Sequence, residues 1–420
     1  MNPENVLIVG SGAREDAVSW KINQSLSKPR LFFTPGNAGT SQIGRNLDID
    51  PTDVSRIISA AKERNAFIFV GPEAALEKGI VNAAKEEGLM IFGPTQEAAL
   101  LETKKSRAIN FMQRHNIPHP ESVVIADLGV AVHFFDEDVW NDVVIKADGL
   151  AAGKGVFLPN SKEEAINAVE RIMVKKEFDD GSKIIIQERL KGKEMSLIVF
   201  TDGRNIVPLL PAQDYKRVGD NNKGPNTGGM GAFAPAPMSK ALYEKLYNAI
   251  LKPTVDGMRE EGNIFQGGLY FGLMLTDEGP KVIEYNARLG DPETQPLMML
   301  LKSDLLPALK NTAEGKLKKS DLIFNKGAAV CVVLAAEGYP SNPKKGDTIY
   351  GLDKVTNPDV QVFHAGTGRE NENFVTKGGR VLGVSASGKN ILDARNKIYS
   401  LIGENGIHFR GMHYRKDIGA

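Results

Sequence analysis

Short β-branched and aromatic runs alternate with helical patterns along the first hundred residues. Val6–Val9 ends in Gly10-Ser11-Gly12 and leads into the helix-like Glu15–Asn23. Arg30–Thr34 ends in Pro35-Gly36-Asn37 and precedes the helical Val54–Arg64. Ala66–Val70 ends in Gly71-Pro72, Gly79–Glu87 reads as a helix, and Leu89–Phe92 ends in Gly93-Pro94. This alternation predicts a parallel, doubly wound α/β sheet. Ligands of such sheets sit beyond the carboxyl ends of the strands, where these turns lie.

The pattern changes after Thr103–His115, a connecting helix closed by Ile117-Pro118. Val143–Lys146 and Val156–Leu158 bracket a Gly- and Ala-rich turn, which predicts a hairpin with a mobile tip. Lys162–Val174 is helical and Lys183–Glu188 is a strand. Met195–Phe200 and Asn205–Leu210 flank Asp202-Gly203 and predict an antiparallel pair. Val218–Gly231 is a long loop rich in Gly, Asn and Pro, and such loops in compact domains are functional or disordered. Lys240–Glu261 is a helix, and Gly267–Leu275 and Lys281–Tyr285 are strands. From Gly327 a last α+β unit carries strands Ala328–Leu334, Gln361–His364 and Val381–Ser387 and helix Ile391–Leu401.

At 420 residues the chain exceeds one compact core, so several domains are expected. Lys+Arg and Asp+Glu are equal at 52 each, which argues against a broad nucleic-acid or membrane-surface footprint but allows a local basic pocket for a phosphorylated small molecule. The lone cysteine, Cys331, lies in an apolar run. It reads as a core residue, and a chain without internal disulfides suits a reducing cytoplasm. The first ten residues pass straight into a strand-like run, so no targeting segment is expected, and no stretch is apolar enough for a membrane span.

Gly10-Ser11-Gly12-Ala13-Arg14-Glu15 approaches a dinucleotide fingerprint, but Glu15 stands where a third Gly or Ala would let helix and strand pack closely. NAD is therefore not expected, while backbone N–H groups at a helix start still suit a phosphate. Gly149–Gly155 approaches a phosphate-binding loop but has Gly155 in place of the Ser or Thr that would hold Mg²⁺. A small-residue hairpin with Lys154 at its tip, and Lys146 before it, can still fold over a triphosphate. Glu284-Tyr285-Asn286 ends a strand. Alternation puts Glu284 and Asn286 on one face, about 7 Å apart, as hard oxygen ligands for Mg²⁺; a polar strand end near solvent is the plainer reading. Glu188 and Glu194 flank a charged turn suited to an adenine and a ribose, a weak signal by itself. Arg14, Asp214, Lys216 and Arg217 are candidate substrate contacts or surface ion pairs. The six histidines show neither metal-ligand spacing nor a hydrolase triad partner.

Taken in order, these pieces resemble the phosphoribosylamine–glycine ligase family of ATP-grasp enzymes over essentially the whole chain. The resemblance runs through Val9–Glu15, Pro35–Thr40, Gly71–Ala74, Ile145–Val156 as IKADGLAAGKGV and Gln213–Arg217. It continues through Gly224–Gly231 as GPNTGGMG, Val282–Pro296 as VIEYNARLGDPETQP, Val362–Thr367 as VFHAGT and the terminal Arg415–Gly419. GPNTGGMG with the downstream NARLGDPE is the specific part.

The resemblance implies an α/β and α+β multidomain chain: an N-terminal doubly wound domain (1–102), a two-lobed ATP-grasp unit (103–326, small lid lobe about 120–189) and a small C-terminal α+β domain (327–420). It implies ATP as co-substrate and Mg²⁺ or Mn²⁺ on Glu284 and Asn286. Lys105, Lys146 and Lys154 are implied as phosphate and lid residues, Glu188 and Leu190 as the adenine hinge, and Glu194 as the ribose carboxylate. Gly10, Ser11, Gly12, Asn37 and Glu73 would hold the sugar phosphate of phosphoribosylamine. Asp214 and Arg288 would grip glycine and, with Lys154, serve the chemistry. A cytoplasmic monomer or weak dimer acting on small molecules is expected. Three positions depart from the family pattern: Asp16 and Tyr215 stand where His is usual, and Lys104 where Ser is. Competing readings are another ATP-grasp ligase such as a bicarbonate-phosphorylating carboxylase, against which GPNTGGMG speaks, and a regulatory ATP binder, against which the intact Glu284/Asn286 pair speaks. A dehydrogenase is opposed by the broken fingerprint.

Overall fold

The computed structural model of the chain describes residues 4–136, 142–151, 154–178 and 181–420; Ala152 and Gly153 of the Gly-rich turn lie outside them. Strands β1 (Asn5–Gly10), β2 (Arg30–Pro35), β3 (Arg45–Asn46), β4 (Ala66–Val70) and β5 (Ile91–Phe92) form a parallel sheet in the order β3-β2-β1-β4-β5. Helices α1 (Ala13–Ile22), α2 (Val54–Arg64), α3 (Glu73–Glu77) and α4 (Ile80–Glu86) connect its strands. The apolar runs of β1 and β4 are buried along their whole length, as a sheet covered on both faces requires. The two-residue β3 has no apolar run, and the five-residue α3 is too short to show a helical period.

The expected connecting helix Thr103–His115 is α6 (Lys105–Arg114); a further helix not expected from the sequence, α5 (Gln96–Thr103), precedes it and is separated from it at the extended Lys104. The break is stabilised from a distance. Asp148 accepts from the Ser106 amide at 2.7 Å and its hydroxyl at 2.8 Å, serving as an N-cap that local sequence does not supply.

Next, β6 (Ser122–Ile125), α7 (Leu128–His133), β7 (Val143–Ala147), β8 (Val156–Phe157), α8 (Lys162–Val169) and β9 (Ile184–Glu188) build a lobe with an antiparallel sheet ordered β6-β9-β7-β8 and its own apolar cluster around Phe135 and Ile145. A second antiparallel sheet pairs β10 (Lys193–Thr201) with β11 (Ile206–Pro208).

Short strands β12 (Gln213–Asp214), β13 (Arg217–Gly219), β14 (Lys223–Asn226) and β15 (Gly231–Ala234) follow. The expected loop Val218–Gly231 is thus largely the β13–β14 hairpin, turned by the left-handed Asn221 and Asn222. Helices α9 (Lys240–Leu246) and α10 (Lys252–Glu260), joined by a π-helical turn, lead to β16 (Gly267–Thr276) and β17 (Gly279–Asn286), which complete the β11-β10-β16-β17 sheet.

Helices α11 (Thr294–Leu300) and α12 (Leu305–Ala313) precede β18 (Ala328–Ala335), β19 (Val360–His364), β20 (Thr367–Glu370), β21 (Asn373–Thr376), β22 (Arg380–Gly388) and α13 (Ile391–Tyr399). Their main sheet runs β12-β15-β18-β22-β19, so it recruits two strands from before residue 235. Cys331 is buried in β18, where burial pushes its thiol up to about 12, as a core residue rather than a nucleophile. Among the described residues no helix is long and apolar enough to cross a membrane.

Asp16, one of the departures, joins helix α1 to β19 of the last sheet. Its carboxyl accepts from the His364 amide at 2.7 Å. Burial raises it to about 7, against the pull of that N–H and with help from the Glu15 charge. A carboxyl raised on folding stabilises fully below its unfolded value near 3.8, and that contribution is lost as pH rises through about 7. Asp16→Asn keeps the acceptor without the charge. It is expected to raise the thermal midpoint by about 2–4 °C at pH 8 and to leave it unchanged below pH 4, read in parallel melts.

Candidate active site

Strand β17 supplies the centre of the site. Glu284 pairs with Gly272 of β16 and Val282 with Leu273, so Ile283 is an extra residue in a β-bulge. The bulge leaves the Ile283 carbonyl to accept from Lys146 Nζ at 3.0 Å. Gly272 is needed opposite: a Cβ there would lie 2.7 Å from Glu284 Cγ. Glu284 and Asn286 consequently line one cleft of about 800 Å³, open mouth included, together with Lys105, Lys146, Glu73 and Arg288.

Charge in this cleft is balanced locally. Lys216 donates to Glu284 Oε1 at 2.9 Å and lies 3.8 Å from Glu194. Burial works against the Glu284 carboxylate, but Lys216, Lys146 and Lys105 outweigh it and hold the group down at about 2. Burial likewise works against the Lys216 ammonium, yet the Glu284 carboxylate raises it well above the usual lysine range. Lys146 is pushed down to about 8 by burial, with Glu284 opposing and Lys105 and Lys216 adding. Lys105 is placed by its amide on the Asp148 carbonyl and by Nζ on the Gly149 carbonyl at 2.8 Å.

Arg288, expected to grip the glycine carboxylate, is forked between two protein carboxylates. It meets Glu73 at 3.1 Å from Nε and Glu102 at 3.1 Å from Nη2. Glu102 also accepts from the Ala287 amide at 2.7 Å, and burial pushes it up to about 7 against the pull of Arg288. The β1–α1 turn is similarly occupied. Glu15 accepts from the Gly12 amide at 2.7 Å and from Arg14 at 2.6 Å, so this amide is already engaged by a protein carboxylate. Gly10, Gly12 and Gly71 make room for that side chain; a Cβ on Gly71 would lie 1.9 Å from its Oε1. Asn37 bridges the Ser11 carbonyl at 2.9 Å and the His364 carbonyl at 2.8 Å.

A smaller pocket adjoins the cleft, lined by Glu194, Ser196, Asp214, Lys216 and Tyr270. Asp214 Oδ1 is buried there with no hydrogen-bond partner among the described residues. Burial, then the charge of Glu293, raises Asp214 well above the carboxylate range, with Lys216 opposing. Glu293 accepts from Ser196 at 2.9 Å, and Ser196 meets the Tyr270 hydroxyl at 2.9 Å.

The structure therefore brings Glu73, Lys105, Lys146, Glu284, Asn286 and Arg288 into one cleft, with Asp214 and Glu194 beside it. Glu188, Leu190 and the exposed Lys154 do not line either pocket. Glu188 contacts the Glu121 amide and Lys281 instead. Glu102, Glu293 and Arg380 were missed by sequence reasoning. A carboxylate among the apolar positions of α5 was a usable signal for Glu102, Glu293 closes the NARLGDPE stretch that carries the resemblance, and nothing local marked Arg380.

No group of three or more His, Cys, Asp or Glu that could hold a metal occurs among the described residues. The pair Glu284 and Asn286 nonetheless suits a hard cation, since one is an ionised carboxylate and the other a neutral amide on the same wall. Lys216→Met would strand the Glu284 carboxylate and is expected to cost about 1–3 kcal/mol at pH 7 in urea titrations. Because Glu284 is depressed on folding, its contribution is present above about 4.5 and lost as pH falls toward 2, so the gap between variant and parent should close over that window.

Comparison with known proteins accounts for the arrangement. Family models match in series: the phosphoribosylglycinamide synthetase N domain over residues 4–102, its ATP-grasp (A) domain over 103–294 and its C domain over 329–420. A phosphoribosylamine–glycine ligase of Rhodopirellula baltica is 45% identical, covering 100% of this chain and 98% of the relative. That of Yersinia pestis is 44% identical, covering 99% of this chain and 98% of the relative. The crystal structure of the Thermotoga maritima phosphoribosylamine–glycine ligase superposes with a TM-score of 0.86 at 35% identity, covering 98% of this chain and 99% of that one. Matched end to end by all three domain models, the chain belongs to the phosphoribosylglycinamide synthetase family of ATP-grasp ligases.

Proposed function

We propose that the chain ligates glycine to 5-phosphoribosylamine with ATP, through glycyl phosphate, giving glycinamide ribonucleotide, ADP and phosphate in purine biosynthesis. The observation that carries the reading at the site is the convergence of Lys105, Lys146, Glu284 and Asn286 on one cleft in a chain of this family. The division into 1–102, 103–326 and 327–420 is part of the same proposal, as is a cytoplasmic setting.

ATP phosphates would be met by Lys105 and Lys146, with Lys154 reaching over from the 148–156 hairpin. Glu188 and Leu190 would flank adenine and Glu194 the ribose. Mg²⁺ or Mn²⁺ held by Glu284 and Asn286 would supply charge neutralisation to the transferring phosphoryl group. A glycine carboxylate oxygen attacks the γ-phosphorus as its bond to the β–γ bridging oxygen breaks. The 1-amino group of phosphoribosylamine then forms the C–N bond, loses a proton, and phosphate departs from the acyl carbon. Lys146 and Lys105 hold positive charge beside the phosphoryl group while this proceeds.

Two crowded carboxyls favour a cationic ligand, so Asp214, with Glu293 beside it, would take the glycine ammonium. Arg288 would accept the glycine carboxylate only by exchanging Glu73 or Glu102 for it. Gly10, Ser11, Gly12, Asn37 and Glu73 would border the sugar phosphate. Gly12 would offer its amide to the phosphate only by release from Glu15, which holds it.

The test is ADP release with ATP, Mg²⁺, glycine and fresh phosphoribosylamine, each omitted in turn. Full turnover should need both co-substrates. Glu284→Ala should lower kcat about 10²–10³-fold. Release that ignores glycine, or an unchanged Glu284→Ala enzyme, would overturn the reading.

A further inference from the structure

The segment Arg415-Lys416-Asp417-Ile418-Gly419 is far from the cleft in sequence, and the proposed chemistry does not use it. In the fold it lies against the β13–β14 hairpin. Arg415 is only 1% exposed. Its guanidinium forks onto Asp417 at 2.7 and 2.6 Å and donates to the Arg217 carbonyl at 3.1 Å and to Asn222 Oδ1 at 2.9 Å. Asp417 accepts in turn from the Asn221 amide at 2.9 Å, and the Lys416 amide donates to Asp220 at 2.7 Å. The Gly419 amide donates to the Tyr215 hydroxyl at 3.1 Å, while Arg415 stacks over the Tyr215 ring at 4.8 Å. Helix α13 anchors the segment from behind, through Arg395 to the Lys416 and Ile418 carbonyls and Tyr399 to the Arg415 carbonyl.

The hairpin needs such support. None of residues 217–226 is fully buried, and a two-stranded hairpin without a core is marginal in water. Its root is the site itself. Alternation along Asp214-Tyr215-Lys216 turns Asp214 and Lys216 to the small pocket and Tyr215 to the 415–419 segment. The Lys216 carbonyl accepts from both the amide and the hydroxyl of Thr227, at 2.8 Å each, and Thr227 Oγ1 accepts from the Gly229 amide at 3.0 Å. A Cβ on Gly229 would lie 2.8 Å from Asp214 Oδ1, so the loop backbone packs directly on that carboxyl. Arg415 is buried and Asp417 partly so, and fixing register is the best-attested use of such a pair.

We propose that Arg415 and Asp417 are positioning residues: they clamp the β13–β14 hairpin and thereby set Asp214 and Lys216 for the glycine half of the reaction. The inference rests on the reading of Asp214 as a glycine contact.

The experiment compares the parent with Asp417→Asn and Arg415→Met in the full chain. The control is Val360→Ala, which trims the buried core of the same domain on β19, at the sheet edge opposite β12. Asp417→Asn and Arg415→Met should raise the glycine KM about tenfold or more, with the ATP KM within about twofold. Val360→Ala should lower Tm and leave the glycine KM alone. Hydrogen exchange of the 217–230 amides should quicken in the first two variants and not in the control, whatever the substrates are. Parallel loss of every kinetic constant in step with Tm, or unchanged glycine KM and unchanged exchange, would overturn the clamp. A parent without glycine-dependent turnover would instead overturn the reading of the site, while the exchange result would still test the clamp.

Discussion

Lys216 donates to Glu284 at 2.9 Å, and around that contact the half-buried Lys146 and Lys105 and the exposed Glu194 are gathered at the cleft. Neither charge would be stable there alone, since burial disfavours each ionised form. Together they hold Glu284 ionised and keep Lys146 only just inside the range where it is a cation at neutral pH. The rest of the architecture brings these groups, from separate segments, to one place and holds them there.

The means are small irregularities in regular elements. The bulge at Ile283 offers a carbonyl to Lys146, Gly272 clears room for Glu284, and the break at Lys104 lets Asp148 cap α6 and place Lys105. Each interrupts a strand or helix, and the loss is offset by contacts from another part of the chain. Such departures concentrate where a site must be built.

The domains are tied through the site as well as around it, where Asp16 meets His364 and Lys310 meets Glu4. Arg288 joins Glu73 of α3 to Glu102 of α5, Arg380 joins the Gly228 carbonyl at 2.7 Å to Asp291, and the β12-β15-β18 sheet crosses from the central region into the last one. Arg288, Glu73 and Glu102 line the cleft and at the same time join two segments of the chain.

Much was legible in the residues. The doubly wound first sheet followed from strand–turn–helix alternation, the hairpin of β10 and β11 from Asp202-Gly203, and the shared wall of Glu284 and Asn286 from the period of a strand. These are local rules, set by backbone sterics and apolar spacing over a few residues. What local rules do not contain was decided by tertiary structure. Arg288 is spoken for by Glu73 and Glu102, the Gly12 amide by Glu15, and Val218–Gly231 is a clamped hairpin rather than a free loop. Each of these depends on which distant polar group arrives to satisfy a buried or exposed one. That is a property of the packed chain, because a hydrogen bond or ion pair between residues 215 positions apart, as between Glu73 and Arg288, leaves no periodic trace in the sequence.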